Sequence, residues 1–404
     1  MPHHSVFNVS GRKLILVWNA GPDYATNSPG WLVNQRIMSM CAPPWTGACD
    51  ITSDARYLAV ADAVVFHWRD IGRSGLPEFR LPHQRYVFLM YESPPHSYNE
   101  YRMSTEFKSY FNWTMTYRTD SDVVAYSMLP KHYPDPQGKQ WYPLSDLANV
   151  TSASHSEMVV LVAKRTKSVA WFASNCDTPS RRETYARALR RYIQVDVYGD
   201  CGPLKCSRDE EDDCDHMLMR DYYFYLAFEN CVCRDYVTEK FDRALAHRLV
   251  PIVLHGQTML DLGVPAQSYI AADSFSSPQS LAVYLNYLIS NHTAYLEFFS
   301  WYRFYGNYSF ASSPPNNYNI RQQACVLCTM LYDNTLPVKH QPDLYEWWLT
   351  NATCMNQYGS IISGDTTAPF FVLFLILTAL VFVGLIMCAK FDTGYKMYRD
   401  IDFS

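Results

Sequence analysis

The chain has 404 residues, 48% of them apolar, with 31 Tyr and 10 Trp. It is too long for one ordinary domain and apolar enough for two packed cores. A net charge of −5 and a pI near 6.2 leave no basic footprint, which excludes nucleic acid as a partner.

In chain order the predicted strands are KLILVWN (13–19), AVVFHW (63–68), YVFLMYE (86–92), SVAWFAS (168–174), QVDVYG (194–199), YYFYLAFEN (222–230) and VPIVLHG (250–256). Several are unbroken runs of Val, Ile, Leu and Phe rather than alternating patterns, as parallel strands buried on both faces require. Helical patterns lie between them, among them SRRETYARALRRYI (180–193) and VTEKFDRALAHRL (237–249). The fold class is therefore α/β, built of βαβ crossovers. The polar stretches 131–146 and 151–157 separate two such sets. The expected organisation is two Rossmann-like units facing a cleft, 1–150 and 151–355, the second ending in a helical tail, followed by a stem at 356–367.

Residues 368–389 are 22 consecutive uncharged residues, about 33 Å as a helix, the thickness of a hydrocarbon core. A transmembrane helix is expected there. Lys390, Lys396 and Arg399 follow it, so the positive-inside rule places 390–404 in the cytoplasm and the bulk of the chain in the lumen. Six sequons agree with a lumenal body: Asn8, Asn112, Asn149, Asn291, Asn307 and Asn351. So do twelve cysteines, eleven of them outside the span, most of which an oxidising compartment would pair. The start, MPHHSVFNVSGRKLILVWN, has no charged region followed by a long apolar one, so either further residues precede it or translocation uses another signal.

FENCVCRDYVTEKF (228–241) crowds acids, bases and an amide into a strand-to-helix loop, the place where open α/β sheets bind ligands. Val237, Phe241, Ala244, Leu245 and Leu249 fall on the face that docks on the sheet, leaving Glu239, Lys240 and Arg243 toward the helix start and solvent. Free N–H groups there, with the Lys240 charge, suit a phosphate, and Glu239 suits ribose hydroxyls. Composition by itself favours a solvated, capped first turn with an incidental Glu-Lys pair. Glu92 ends the strand YVFLMYE, where a general base could stand. Arg182 opens a helix after SVAWFAS, another phosphate-facing place. DSD (120–122) has the form of a metal-diphosphate motif, the acidic run 208–216 reads as a solvated loop, and CVLC (325–328) could be half of a zinc site. No second pair of ligands accompanies CVLC, so disulfides are the better reading, with three pairings open to four cysteines.

The order of these residues narrows the choice. FENCVCRDYVTEKFDRALAHRLVPIVLHG closely resembles the donor-binding signature of the α1,3-fucosyltransferases. YESPPH (91–96), FNWTMTYRTDSD (111–122) and SNCDTPSRRETYARALRRYIQVDVYGDCG (174–202) resemble further blocks of that family in the same order, over residues 13 to 330. The resemblance is greatest to invertebrate enzymes that modify N-glycan cores.

It implies a GT-B fold and an inverting transfer of fucose from GDP-fucose to O3 of GlcNAc on N-glycans, with no metal and no cofactor. The expected setting is the Golgi membrane. By the same resemblance Glu92 is the base, and Arg182 the diphosphate-binding arginine, six residues after Cys176. Asn230, Tyr236, Glu239 and Lys240 become donor contacts, with Tyr236 against the nucleotide or fucose, and Tyr126 a weaker candidate. DSD is then not a metal site. Cys325 and Cys328 are expected to reach back to Cys41 and Cys49, while Cys231 and Cys233 stay unassigned. Two alternatives keep the same fold: a silent, membrane-anchored binding protein, and a fucosyltransferase for antennal or protein acceptors.

Overall fold

A computed structural model of the chain describes residues 11–19, 36–39, 41, 43–71, 75–97, 107–124, 153–206, 211–300, 315–341 and 343–364. The candidate Tyr126, the sequons Asn8, Asn149 and Asn307, the expected boundary loop at 131–146 and the apolar span 368–389 with its tail lie outside the described residues. Among the described residues no helix is long and apolar enough to cross a membrane.

The strands assemble into two sheets in which every pairing is parallel. The first contains β1 (Lys13–Val17), β2 (Cys49–Thr52), β3 (Ala63–His67), β4 (Arg85–Met90), β5 (Trp113–Thr116) and β6 (Val123–Val124), in the order β2-β1-β3-β4-β5-β6. The second contains β7 (Lys167–Phe172), β8 (Val195–Tyr198), β9 (Tyr222–Leu226), β10 (Val250–Val253) and β11 (Ile270–Ala271), in the order β11-β10-β9-β7-β8. All five residues of β3 and all five of β9 are buried, which is why these segments read as unbroken apolar runs.

Each of the seven anticipated strands forms. The other four, β2, β5, β6 and β11, span four residues or fewer; β2 and β5 include polar residues whose burial only the tertiary fold permits, and β6 and β11 are two residues long. Thr114, in β5, has its N–H and hydroxyl both donating to Asp122 Oδ2, at 2.8 and 2.9 Å. Thr116 shares a 2.6 Å hydrogen bond with the Ser121 hydroxyl.

Three expectations require correction. The acidic run is not a solvated loop throughout: Glu211–Asp221 is a helix that turns Cys214 inward, and Asp215 pairs with Arg243 and His247. The helix Pro315–Tyr332 is not a tail of the second unit but packs on the first sheet, where Ala324, Leu327 and Cys328 join Ile15, Val17 and Ile51 in one apolar core. Nor is the stretch after 355 a free stem. Helix Tyr358–Ser363 lies against helix Arg182–Leu189, so closely that a Cβ on Gly359 would stand 2.4 Å from the Arg181 carbonyl oxygen.

Two bridges, Cys41–Cys325 and Cys49–Cys328, fasten the returning helix to the first sheet. Loop-closure entropy makes one link across 284 residues worth up to about 5 kcal/mol. The second closes only a short additional loop and fixes orientation more than it adds stability.

Candidate active site

The crowded loop between β9 and helix Glu239–Ala246 has a different partner for nearly every polar side chain. Glu229 is buried and turned inward, its Oε1 accepting from the Thr238 N–H and hydroxyl, both at 2.8 Å. Lys240 Nζ lies 2.9 Å from Glu229 Oε2, 3.1 Å from Glu239 Oε1 and 2.7 Å from the Thr238 hydroxyl. Lys240 is thus largely withdrawn from solvent instead of projecting into it. Desolvation pushes its pKa down, but the Glu229 and Glu239 carboxylates outweigh that and hold it above the ordinary lysine value. Burial pushes Glu229 up in spite of Lys240. Arg243 is also not free in solvent, lying over the Phe172 ring and 3.2 Å from Asp215 Oδ1. Glu239 keeps about two fifths of its side chain exposed at 43% and remains open to a ligand.

The rest of the loop ties the two units together. Asp235 takes the left-handed backbone conformation (φ 62°), and its Oδ2 accepts from the Thr119 N–H at 3.1 Å and hydroxyl at 2.7 Å. Asp120 chelates the wholly buried Arg118 (2.9 and 2.6 Å), while Asp122 accepts from Thr114 and pairs with Lys339 at 2.5 Å. Both carboxylates of DSD therefore have cationic and polar partners within the fold. Among the described residues no three carboxylate, thiol or imidazole groups are disposed to hold a metal ion.

Glu92 stands two residues past the end of β4 and is only partly buried. Its Oε2 accepts from the Tyr236 hydroxyl at 3.1 Å and from Asn230 Nδ2 at 3.3 Å, so one carboxylate of the first unit is met by two donors of the second. Tyr236 is 4% exposed and packs edge-on against Tyr117 at 4.7 Å between centroids. Its hydroxyl is on the carboxylate of the expected base, a role that the sequence did not disclose.

Arg182 is 3% exposed. Its two terminal nitrogens donate to the Phe228 carbonyl at 2.6 Å and the Asn175 carbonyl at 3.2 Å, and its Nε is buried without a partner. It therefore braces the loop entering Glu229 while adding a positive charge near Lys240. Arg181 is the exposed neighbour and pairs with Asp177 and Glu183.

Sequence reasoning missed several participants. Glu229 stood in FEN beside a chosen residue, and its inward turn is a tertiary fact. His96, one turn beyond Glu92, lies among the charges of Glu92, Arg69, Arg182 and Lys240. Cys233 pairs with Cys354, which fastens the crowded loop to the segment before helix Tyr358–Ser363. Cys176–Cys201 and Cys206–Cys214 complete the bridges of the described residues, with Cys231 as their free thiol. Burial pushes that thiol up to about 12, leaving it protonated and inert at neutral pH.

Of the described sequons, Asn351 is exposed and Asn291 partly so, with Asn291 capping helix His292–Glu297. Asn112 is 1% exposed, its Nδ2 donating to the Lys339 carbonyl at 2.8 Å and its Oδ1 accepting from the Tyr86 N–H at 2.8 Å. A glycan on that nitrogen would displace a buried hydrogen bond, so Asn112 is withdrawn as an acceptor in the folded chain.

Two parallel α/β units meet where a carboxylate of one is held by the ligand-loop side chains of the other, at the loops where open α/β sheets bind ligands. Residues 10–127 match the family model described as fucosyltransferase, N-terminal, and 162–347 match the C-terminal model of glycosyltransferase family 10 (fucosyltransferase). An α-(1,3)-fucosyltransferase C from Drosophila melanogaster is 35% identical over 75% of this chain and 69% of its own length. A glycoprotein 3-α-L-fucosyltransferase A from the same organism is 33% identical over 88% of this chain and 64% of its own. A solved α1,3-fucosyltransferase with GDP aligns over 84% of this chain and 95% of its own, at 17% identity and a TM-score of 0.49. The chain belongs to glycosyltransferase family 10, the fucosyltransferases.

Proposed function

We propose that the protein transfers L-fucose from GDP-fucose to O3 of a GlcNAc residue on N-glycans, the core GlcNAc being the preferred acceptor, with inversion at the sugar. The observation that carries this reading is the single carboxylate, Glu92, presented by the first unit to Asn230 and Tyr236 of the second. Inversion in one displacement needs one base on the acceptor hydroxyl and cations to hold the departing diphosphate. Glu92 would accept the hydroxyl proton as the C1–O bond to fucose forms. Lys240 and Arg182 stand near one another on the other side to take up the charge released as the C1–O bond to phosphate breaks.

In the resting site Glu92 is occupied by Tyr236 and Asn230. A substrate hydroxyl must take over part of that coordination, which would orient the carboxylate before it accepts a proton. Glu239, half open beside Lys240, is the group we assign to the ribose hydroxyls. The names of the relatives, an α-(1,3)-fucosyltransferase and a glycoprotein 3-α-L-fucosyltransferase, support the linkage and the acceptor class. The five disulfides of the described residues support an oxidising, lumenal setting for the site, and 368–389 is the proposed anchor in the Golgi membrane.

The test incubates the purified full chain with labelled GDP-fucose and a panel of core, antennal and protein-linked acceptors, with and without EDTA. Labelled product released only by cleavage of a core α1,3 linkage, undiminished in EDTA, is the expected result. Label on antennae alone would replace the acceptor, and loss of transfer in EDTA would refute the metal-free reaction.

A further inference from the structure

Several polar atoms around Glu92 are buried without hydrogen-bond partners, Ser93 Oγ and Arg182 Nε included, and two of them are a ring nitrogen and an amide oxygen, His96 Nε2 and Asn230 Oδ1. Buried polar atoms in folded proteins are nearly always paired, so unpartnered atoms on two side chains that act on one carboxylate point to a ligand that completes the network. Asn230 spends its Nδ2 on Glu92, which leaves its Oδ1 in need of a donor. His96 stands in the short turn Pro94–Ser97 that follows Glu92, with its backbone N–H fixed on the Ser93 carbonyl at 3.0 Å.

The chemistry of the two atoms selects among ligands. An amide oxygen repels a phosphate and accepts from a hydroxyl. Burial, with Arg69, Arg182 and Lys240 close by, depresses the His96 pKa against the opposing pull of Glu92, so the imidazole is neutral near pH 7. A neutral imidazole nitrogen and an amide oxygen both suit sugar hydroxyls, which donate and accept at once. Asn230 belongs to the unit of the ligand loop, whereas His96 belongs to the same loop as the base.

We propose that His96 is an acceptor-contacting residue, whose Nε2 bonds a hydroxyl of the acceptor sugar next to the one that Glu92 deprotonates. This rests on the transferase reading given above. The base-bearing loop then acts on the acceptor in two ways, since Glu92 selects the reacting oxygen by proton transfer while His96 sets the register of the ring that carries it.

The test is steady-state kinetics of the full chain with His96→Ala and His96→Gln, varying acceptor and GDP-fucose separately, together with GDP binding by each variant. The expected result is an acceptor KM raised about tenfold or more in H96A, as loss of one buried hydrogen bond implies. The KM for GDP-fucose and the affinity for GDP should stay within about twofold, and H96Q, which can still bond a hydroxyl, should recover part of the acceptor KM. An unchanged acceptor KM in both variants overturns the proposal, as does a parallel rise in the GDP-fucose KM, or equal defects in H96A and H96Q with lowered thermal midpoints. A wild-type chain that binds GDP but transfers no fucose to any acceptor refutes the transferase reading itself, and the role of His96 with it.

Discussion

Glu229 and Lys240 form an ion pair, Nζ to Oε2 2.9 Å, with side chains only 10% and 19% exposed. The pair joins the start of the loop after β9 to the first turn of the helix that follows, so the same contact shapes the ligand loop and positions its cation. Lys240 has a folded pKa above its unfolded value, so its contribution is complete below the unfolded pKa and is lost only as the pH rises through the folded one.

Lys240→Met strands a desolvated carboxylate, and breaking such a pair costs about 3 kcal/mol, the lower end for buried partners because both ends keep some solvent. Glu229, already pushed up by burial, rises further when unpaired, and a raised carboxyl destabilises the fold increasingly as pH rises above its unfolded value. Urea unfolding of wild type and K240M should therefore differ more at pH 8 than at pH 5. An equal gap at both would mean that Glu229 is not left charged.

Glu92→Gln keeps an oxygen that can accept from Tyr236 and Asn230 but cannot take a proton. Turnover should fall by about 10²-fold to 10⁴-fold, the usual worth of a positioned general base. GDP binding measured by calorimetry should be unchanged. Tyr236→Phe removes one bond to the carboxylate and should cost turnover far less than E92Q does.

The bridge Cys233–Cys354 closes 121 residues and ties the ligand loop to the segment on which helix Tyr358–Ser363 begins. Replacing both cysteines by Ser should lower stability by about 2–4 kcal/mol. Because Arg234 donates its N–H to Ala352 and Met355 to Val232, the loop also loses its backing, and the KM for GDP-fucose should rise with the loss of stability. A drop in the thermal midpoint at constant donor KM would confine the bridge to a structural role.

His255 caps helix Gly256–Asp261 with Nδ1, which accepts from the Thr258 N–H at 3.3 Å. Burial depresses its pKa, so its contribution is present above the unfolded value, near 6.5, and is lost as the pH falls through the folded one. Stability measured from pH 7.5 down to 5 should decline, and His255→Asn, a cap that does not titrate in this range, should flatten that decline.

Peptide mapping of chain made in a secretory host should find Asn351 glycosylated and Asn112 bare. Asn112→Ala should instead lower stability by about 1–3 kcal/mol, since the Tyr86 N–H and the Lys339 carbonyl would be left unpaired. A glycan found at Asn112 would require the chain around it to be modified before it folds.

Legibility in the sequence followed burial on both faces. Strands β1, β3, β4, β9 and β10 were readable because two-sided burial leaves a nearly unbroken apolar run, and β7 and β8 because their buried centres, Val169–Trp171 and Val195 with Val197, keep enough of one. β5 was not, because its threonines have their polar needs met by a neighbouring loop, as Asp122 does for Thr114, and β6 was not because two residues, Val123–Val124, make no pattern. The site divides in the same way. Glu92 and Lys240 were found by motifs of contiguous residues at a strand end and a helix start, whereas Glu229 and His96 owe their importance to what folds against them.

The sequence by itself determined the kind of fold, the family and the two loops that must face each other, since periodicity and local order are properties of contiguous residues. Only the tertiary structure decided that helix Pro315–Tyr332 returns to the first sheet, that Cys233 reaches Cys354 and that Tyr236 donates to Glu92. Those contacts join residues more than a hundred positions apart, and their free energy depends on distance in space, which no local pattern of residues encodes.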